Sequence, residues 1–228
     1  MAQQLILDLL APPPPTLENF VPGDNGAALD ALQQCTPGRA IYLWGPKGVG
    51  RTHLLQGMCH RAGGHYHPAH AGAADLHAMA TGDATPPALV AVDDVETLDA
   101  EGQAALFALY NRWREMAATR HAFSLVLAGD RAPLNMNVRE DLRTRLGWDL
   151  VFRLEQLSDE ERARALHARA AERGLDLSNE VVTWLLTHHD RDMSRLSALV
   201  DALDRYSLAR HRAITLPLLK DLLANDQP

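Results

Sequence analysis

The chain has 228 residues, 46% hydrophobic and 22% charged, with a formal net charge of −7 at pH 7. That length and balance suit one large or two small globular domains with ample core, and the acidic excess argues against a protein built chiefly to neutralise duplex DNA. No apolar run approaches the ~20 residues needed to cross a bilayer.

The Leu5–Leu10 run is too short for a signal peptide, lacks a basic flank and carries Asp8. Two cysteines, Cys35 and Cys59, stand in no metal-like spacing and fit a reducing compartment, so a cytoplasmic protein without membrane association is expected. Residues 1–11, MAQQLILDLLA, precede the proline run Pro12–Pro15, a stiff extended spacer. An apolar segment on such a spacer reads as a docking peptide, or as a first strand or turn packed on the chain's own core. Phe20-Val21-Pro22-Gly23 reads as an extended piece and turn, with Asn25 capping a helix through Gln34.

The stretch Arg39–Leu55, RAIYLWGPKGVGRTHLL, organises the rest. Ala40–Trp44 reads as a buried strand, followed by a glycine-rich turn and a helix to about Arg61, which is the P-loop layout. Glycines let successive backbone N–H groups converge on a phosphate, and the helix N-terminus adds partial positive charge. The predicted set is Gly45, Pro46, Lys47, Gly48, Val49, Gly50, Arg51, Thr52 and His53. Arg51 stands where G-x-x-x-x-G-K-[ST] has Lys, and its planar guanidinium does not substitute conservatively for an ammonium. Nucleotide binding with weak hydrolysis by this chain is therefore expected, against a glycine-rich turn that binds nothing.

His65-Tyr66-His67 reads as an edge strand and Ala73–Ala80 as a short helix. His65, His67 and His70 invite a metal reading, but with no Cys or carboxylate completing the set, solvated or helix-capping histidines are expected. Ala88–Val92 is an apolar strand ending in Asp93-Asp94, a Walker B pattern in which one carboxylate holds Mg²⁺ with Thr52 and the other orients water; the alternative is an acidic turn. Ala100–Ala118 carries Leu106, Leu109, Tyr110 and Trp113 on one helical face. Phe123–Ala128 is another buried strand, which brings Asp130 to its end as a γ-phosphate sensor or a plain turn residue.

Arg139–Arg145 reads as a short polar helix that presents Arg143 or Arg145 at the surface, before a last strand within Leu146–Leu154. In a self-associating ATPase such an arginine can reach a neighbour's phosphoryl group. Ser158 and Glu161 form a capping box for a helix through Arg173 that Gly174 ends. Three further helices follow, Ser178–His188, Ser194–Ala209 and Leu216–Leu223, with Arg191 before the middle one.

Together, GPKGVGRT, LVAVDD, LVLAGDR, LRTRL and RDM resemble the initiator DnaA clade of AAA+ ATPases. Within it the chain is similar to the Hda family of regulatory inactivators, in its length, its Q-L-x-L-x-L peptide, Arg51 and the run TRLGWDLVFRLEQLSDEERARAL. The resemblance implies an α/β fold: an AAA+ P-loop core with a parallel five-stranded sheet and helices on both faces, plus a small C-terminal α-helical lid bundle. It implies residues 1–15 as a clamp-binding peptide and spacer, 16–156 as the nucleotide-binding domain and 157–228 as the lid.

The implied activity is negative regulation of replication initiation. Docked on the DNA-loaded polymerase III β sliding clamp through Gln4, Leu5, Leu7 and Leu9, the protein would stimulate ATP hydrolysis by DnaA. DNA would be met only through the clamp, and a homodimer is possible. Arg145 would be the trans arginine finger; Phe20 and Val21 would begin the adenine pocket; Asp130 would be sensor 1 and Arg191 sensor 2. ADP or ATP with Mg²⁺ is the implied ligand. The rivals are an autonomous AAA+ ATPase such as a helicase loader, a DnaA-like initiator paralogue, disfavoured because the chain stops at Pro228 without a helix-turn-helix domain, and a nucleotide-free adaptor.

Overall fold

In the computed structural model the described residues are 14–68, 70–82, 85–189 and 191–224, so the peptide bearing Gln4, Leu5, Leu7 and Leu9 lies outside them. The chain divides at Gln156 into two compact units, Pro15–Gln156 and the residues from Leu157 onward.

The first unit alternates helix and strand: α1 (Gly26–Gln33), β1 (Ala40–Trp44), α2 (Arg51–Ala62), β2 (His65–His67), α3 (Ala74–Thr81), β3 (Leu89–Val92), α4 (Ala100–Met116), β4 (Ser124–Gly129), α5 (Glu140–Arg145) and β5 (Leu150–Arg153). The strands form one five-stranded sheet in the order β2-β3-β4-β1-β5, every neighbour parallel. Parallel strands are covered on both faces, and β3 and β4, LVAV and SLVLAG, are accordingly buried throughout.

Strand alternation sorts the core into two layers. Tyr42, Val90, Val92, Leu125 and Leu127 face the layer holding Leu76 of α3 and Leu106, Leu109, Tyr110 and Trp113 of α4. Ile41, Leu43, Leu89, Ala91, Val126 and Ala128 face Leu32 of α1 and Leu54, Leu55 and Met58 of α2. Helices on both faces of a parallel sheet are what the resemblance implied. Cys59 sits in the second layer as a free thiol, where burial pushes its pKa up to about 11.

Asn25 departs from its expected capping role. A 3₁₀ turn, Gly23–Asn25, precedes α1, and the Asn25 side chain makes no cap hydrogen bond. At 4% exposure its amide needs both partners, and it finds them far along the chain. Asn25 Nδ2 donates to the Glu155 carbonyl at 2.9 Å and the Glu155 N–H donates to Asn25 Oδ1 at 2.7 Å.

The second unit comprises α6 (Asp159–Glu172), α7 (Asn179–His188), α8 (Met193–Arg210) and α9 (Leu216–Ala224). The expected capping box opens α6: Glu161 N–H donates to Ser158 Oγ at 3.1 Å and Ser158 N–H to Glu161 Oε2 at 2.6 Å. Gly174, at φ 71°, follows as a left-handed terminator. Leu166, Val181, Leu185, Leu196, Val200, Leu203, Leu219 and Leu222 form this unit's own core. Among the described residues no helix is long and apolar enough to cross a membrane.

Candidate nucleotide-binding site

The register aligns the C-terminal ends of three strands, Trp44 opposite Gly129 and Val92 opposite Leu127. One sheet edge therefore carries Gly45, Asp93 and Asp130. Gly45 donates its N–H to the Gly129 carbonyl at 3.3 Å, and a Cβ there would lie 2.6 Å from the Leu154 carbonyl oxygen. Gly48 and Gly50 take left-handed backbone at φ 86° and 93°, which turns the chain from β1 into α2. The first turn of α2 holds N–H groups with no intrahelical acceptor at the positive end of its dipole. A phosphate fits that cradle. Phe20 lies on the same turn, so close that a Cβ on Gly50 would sit 2.6 Å from its Cε2, and its ring is 5.6 Å from that of His53. Val21 follows it, half-buried. Lys47 is exposed, its carbonyl accepting from Gln156 Nε2 at 3.4 Å.

Asp93 is 2% exposed and is held from three sides. Thr52 Oγ1 donates to its Oδ2 at 2.6 Å, Tyr66 Oη to the same oxygen at 2.9 Å, and the Asp94 N–H to Oδ1 at 2.9 Å. Two hard oxygen donors, one from each Walker element, are the ligand type Mg²⁺ takes beside a nucleotide's phosphates.

Asp94 adopts left-handed backbone, φ 41° and ψ 54°, which aims its carboxylate at Arg51. Arg51 Nη2 donates to Asp94 Oδ1 at 2.9 Å, and Nη1 lies 3.6 Å from Glu96 Oε1. Burial raises the pKa of Asp94, aided by neighbouring Asp93 and opposed by Arg51. Burial likewise raises that of Glu96. Arg51 Nη1 and Glu96 Oε2 are buried without a hydrogen-bond partner, so a donor remains for an anionic phosphate oxygen. The residues present thus fit a nucleotide with its Mg²⁺.

Asp130 stands at the end of β4, between the strands bearing the two Walker elements. Its carboxylate is paired to Arg131, whose hydrogen bond holds its pKa below the ordinary range. Arg145 is half-buried at the end of α5, its guanidinium 4.0 Å from the Phe107 ring centroid and 4.7 Å from that of Trp148. Its Nε and Nη2 both donate to Asn111 Oδ1, at 3.2 and 2.9 Å. Arg191 belongs to the helical unit, where Nη2 meets Asp159 Oδ2 at 3.2 Å.

Tyr66, Glu96 and the Phe107–Asn111–Trp148 clasp escaped the sequence reading. Glu96 had a signal, since an arginine in the lysine position calls for carboxylates nearby. The clasp had none, because its members come from α4 and the turn after α5.

Residues 159–223 match the family model described as Hda, lid domain. The matched stretch lies within the helical unit, which is therefore similar to the Hda lid domain. Domain III of the Thermotoga maritima replication initiation protein DnaA is 24% identical over 96% of this chain and 100% of its own, with a TM-score of 0.68. AMPPCP-bound DnaA from Aquifex aeolicus is 22% identical over 86% of this chain and 69% of its own, with a TM-score of 0.60. The Thermotoga maritima RuvB Holliday junction branch migration motor gives 16% identity over 93% of this chain and 74% of its own, with a TM-score of 0.62. The fold is that of the AAA+ proteins, and the lid match with the DnaA-like fold is consistent with an Hda-like protein of the DnaA clade.

Proposed function

We propose that this chain is a nucleotide-bound regulator that stimulates ATP hydrolysis by the initiator DnaA and so restrains replication initiation. The observation that carries the reading is the pairing of Arg51 with Asp94 and Glu96 inside an otherwise complete P-loop. The turn keeps the geometry to hold a di- or triphosphate, ADP foremost, while the cation that would serve hydrolysis in cis is drawn onto the chain's own acids. The Hda lid and the DnaA-like fold support a DnaA-related AAA+ regulator with DnaA as its partner.

In this reading Gly45, Gly48, Gly50 and the first turn of α2 hold the chain's own nucleotide, with Thr52 and Asp93 on Mg²⁺ and Phe20 and Val21 toward the base. Arg145 acts outward, its charge stabilising the phosphoryl group transferred in the partner's site. Phe107, Trp148 and Asn111 hold the guanidinium in one orientation, which lowers the entropy lost on docking. Asp130 and Arg191 are the proposed sensors. Gln4, Leu5, Leu7 and Leu9 would dock on the β sliding clamp, a reading that rests on the sequence pattern.

The test is DnaA ATP hydrolysis with this protein, clamp and DNA, each omitted in turn. Stimulation that needs all three, and that Leu7→Ala with Leu9→Ala removes, supports the proposal. No stimulation by the complete mixture overturns it, and rapid phosphate release by the isolated protein favours an autonomous ATPase.

A further inference from the structure

The edge strand β2 carries a cluster of side chains that the nucleotide site does not use. His65 and His67 alternate with Tyr66, so both imidazoles stand on one face of the strand. Asp75, in the first turn of α3, meets that face. One ligand atom from each of His65, His67 and Asp75 lies within 4.8 Å of the other two. The histidines that invited a metal reading included His70 and no carboxylate, but His70 is exposed and outside the cluster. The missing carboxylate comes from the next helix, beyond the reach of sequence spacing.

His67 is buried and His65 half-buried on a strand, so neither is the solvated or helix-capping histidine expected, whereas His70 is exposed. His67 is 0% exposed, and neither ring nitrogen makes a hydrogen bond of normal geometry, although the Ala71 backbone interacts with the ring. His65 Nε2 is buried and unpartnered as well. Three buried imidazole nitrogens without a well-formed hydrogen bond call for an explanation, since burying such groups unpaired costs free energy.

We propose that His65, His67 and Asp75 bind a divalent first-row transition metal, with zinc as the ion that suits the site. Two imidazoles and one carboxylate favour zinc over Mg²⁺ or Ca²⁺, which take oxygen ligands. Three protein ligands leave the fourth tetrahedral position to water. At zinc–ligand distances of about 2.0–2.1 Å, ligand atoms sharing a tetrahedral ion lie about 3.3 Å apart. Reaching that spacing takes side-chain rotation, for which Asp75 is exposed and His65 half-buried. The bound ion would tie β2 to α3. The His67 carbonyl accepts the Asp93 N–H at 3.0 Å, so the same strand end braces the Walker B acid.

Metal-stripped full-length protein is titrated with zinc against a chromophoric chelator, with excess Mg²⁺ present to occupy the Thr52–Asp93 position. Cobalt is titrated in parallel, its visible ligand-field bands reporting tetrahedral geometry. The expected result is one ion per chain, weakened at least about tenfold by His65→Gln and by Asp75→Asn, since even an outer-shell partner is worth that much. His70→Ala and Asp93→Asn leave the affinity unchanged. Both substituted side chains, at 65 and 75, lie outside the fully buried core, and circular dichroism checks that the variants fold. Unchanged zinc affinity in both variants, or loss in Asp93→Asn alone, overturns the proposal.

Discussion

Arg51 reaches Asp94 Oδ1 at 2.9 Å, so the cation at the helix start of the phosphate turn leans on an acid just beyond the end of β3. The Arg51 side chain is 10% exposed and that of Asp94 33%, which makes this a partly desolvated pair. Asp94→Ala leaves the guanidinium poorly solvated and is expected to lower stability by about 1–3 kcal/mol in urea unfolding. Added MgADP should restore part of that loss in the variant, because a phosphate oxygen replaces the missing carboxylate. Equal stabilisation of both proteins by MgADP would show that Arg51 does not face the phosphates.

Thr52 Oγ1 and Asp93 Oδ2 stand 2.6 Å apart as the predicted Mg²⁺ pair. Thr52→Val should weaken ADP binding about tenfold, about 1.4 kcal/mol, in calorimetry with Mg²⁺. In EDTA the same variant should bind ADP as the parent does. A loss that is the same with and without Mg²⁺ would assign Thr52 to the phosphate alone.

Arg145→Ala should reduce stimulated DnaA hydrolysis by about 10³-fold or more, the usual worth of an arginine finger. ADP binding should barely move, and the unfolding midpoint should fall only modestly through the lost contacts with Phe107, Trp148 and Asn111. Arg143→Ala, one helical position pair earlier, should retain most of the stimulation; the reverse ranking would transfer the role to Arg143. Phe107→Leu tests the clasp: stimulation should fall at saturating DnaA through a poorly positioned guanidinium, and the conservative Phe107→Tyr should recover it.

Burial raises the pKa of Glu96 and Asp94, so just above the ordinary carboxyl range the folded chain binds more protons than the unfolded one. Their contribution to stability therefore falls as pH rises from that range through their raised values. Glu96→Gln should flatten this decline, measured as urea midpoints between about pH 4 and pH 6, where carboxyls titrate. Asp130 acts oppositely: the Arg131 hydrogen bond lowers its pKa, and its contribution persists above the ordinary range and is lost in acid. An unaltered slope in Glu96→Gln would show that its carboxyl does not titrate in this window.

The strands were legible because burial on both faces demands apolar runs, as at Leu89–Val92, and the glycine turn because left-handed backbone at Gly48 and Gly50 needs that residue. The α4 face was legible from the spacing of Leu106, Leu109, Tyr110 and Trp113, all buried. Contacts between distant segments were not. Asn25 looks like a helix cap to any local rule, yet its amide pairs with Glu155, and no periodicity encodes a partner so far along the chain. His67 looked like a surface histidine because an edge-strand position gives no local signal of full burial. Arg145 was found by its place in a motif, whereas the rings that hold it were invisible until α4 and α5 packed.

The bare Cα of Gly50 has a consequence for how the sequence can drift. A methyl group there would strike the Phe20 ring at 2.6 Å, and the left-handed backbone at φ 93° resists any side chain besides. All freedom to vary thus falls on residue 20, and an aromatic lost there cannot be compensated by filling in from position 50. Natural variants should keep the glycine fixed and experiment only with the ring.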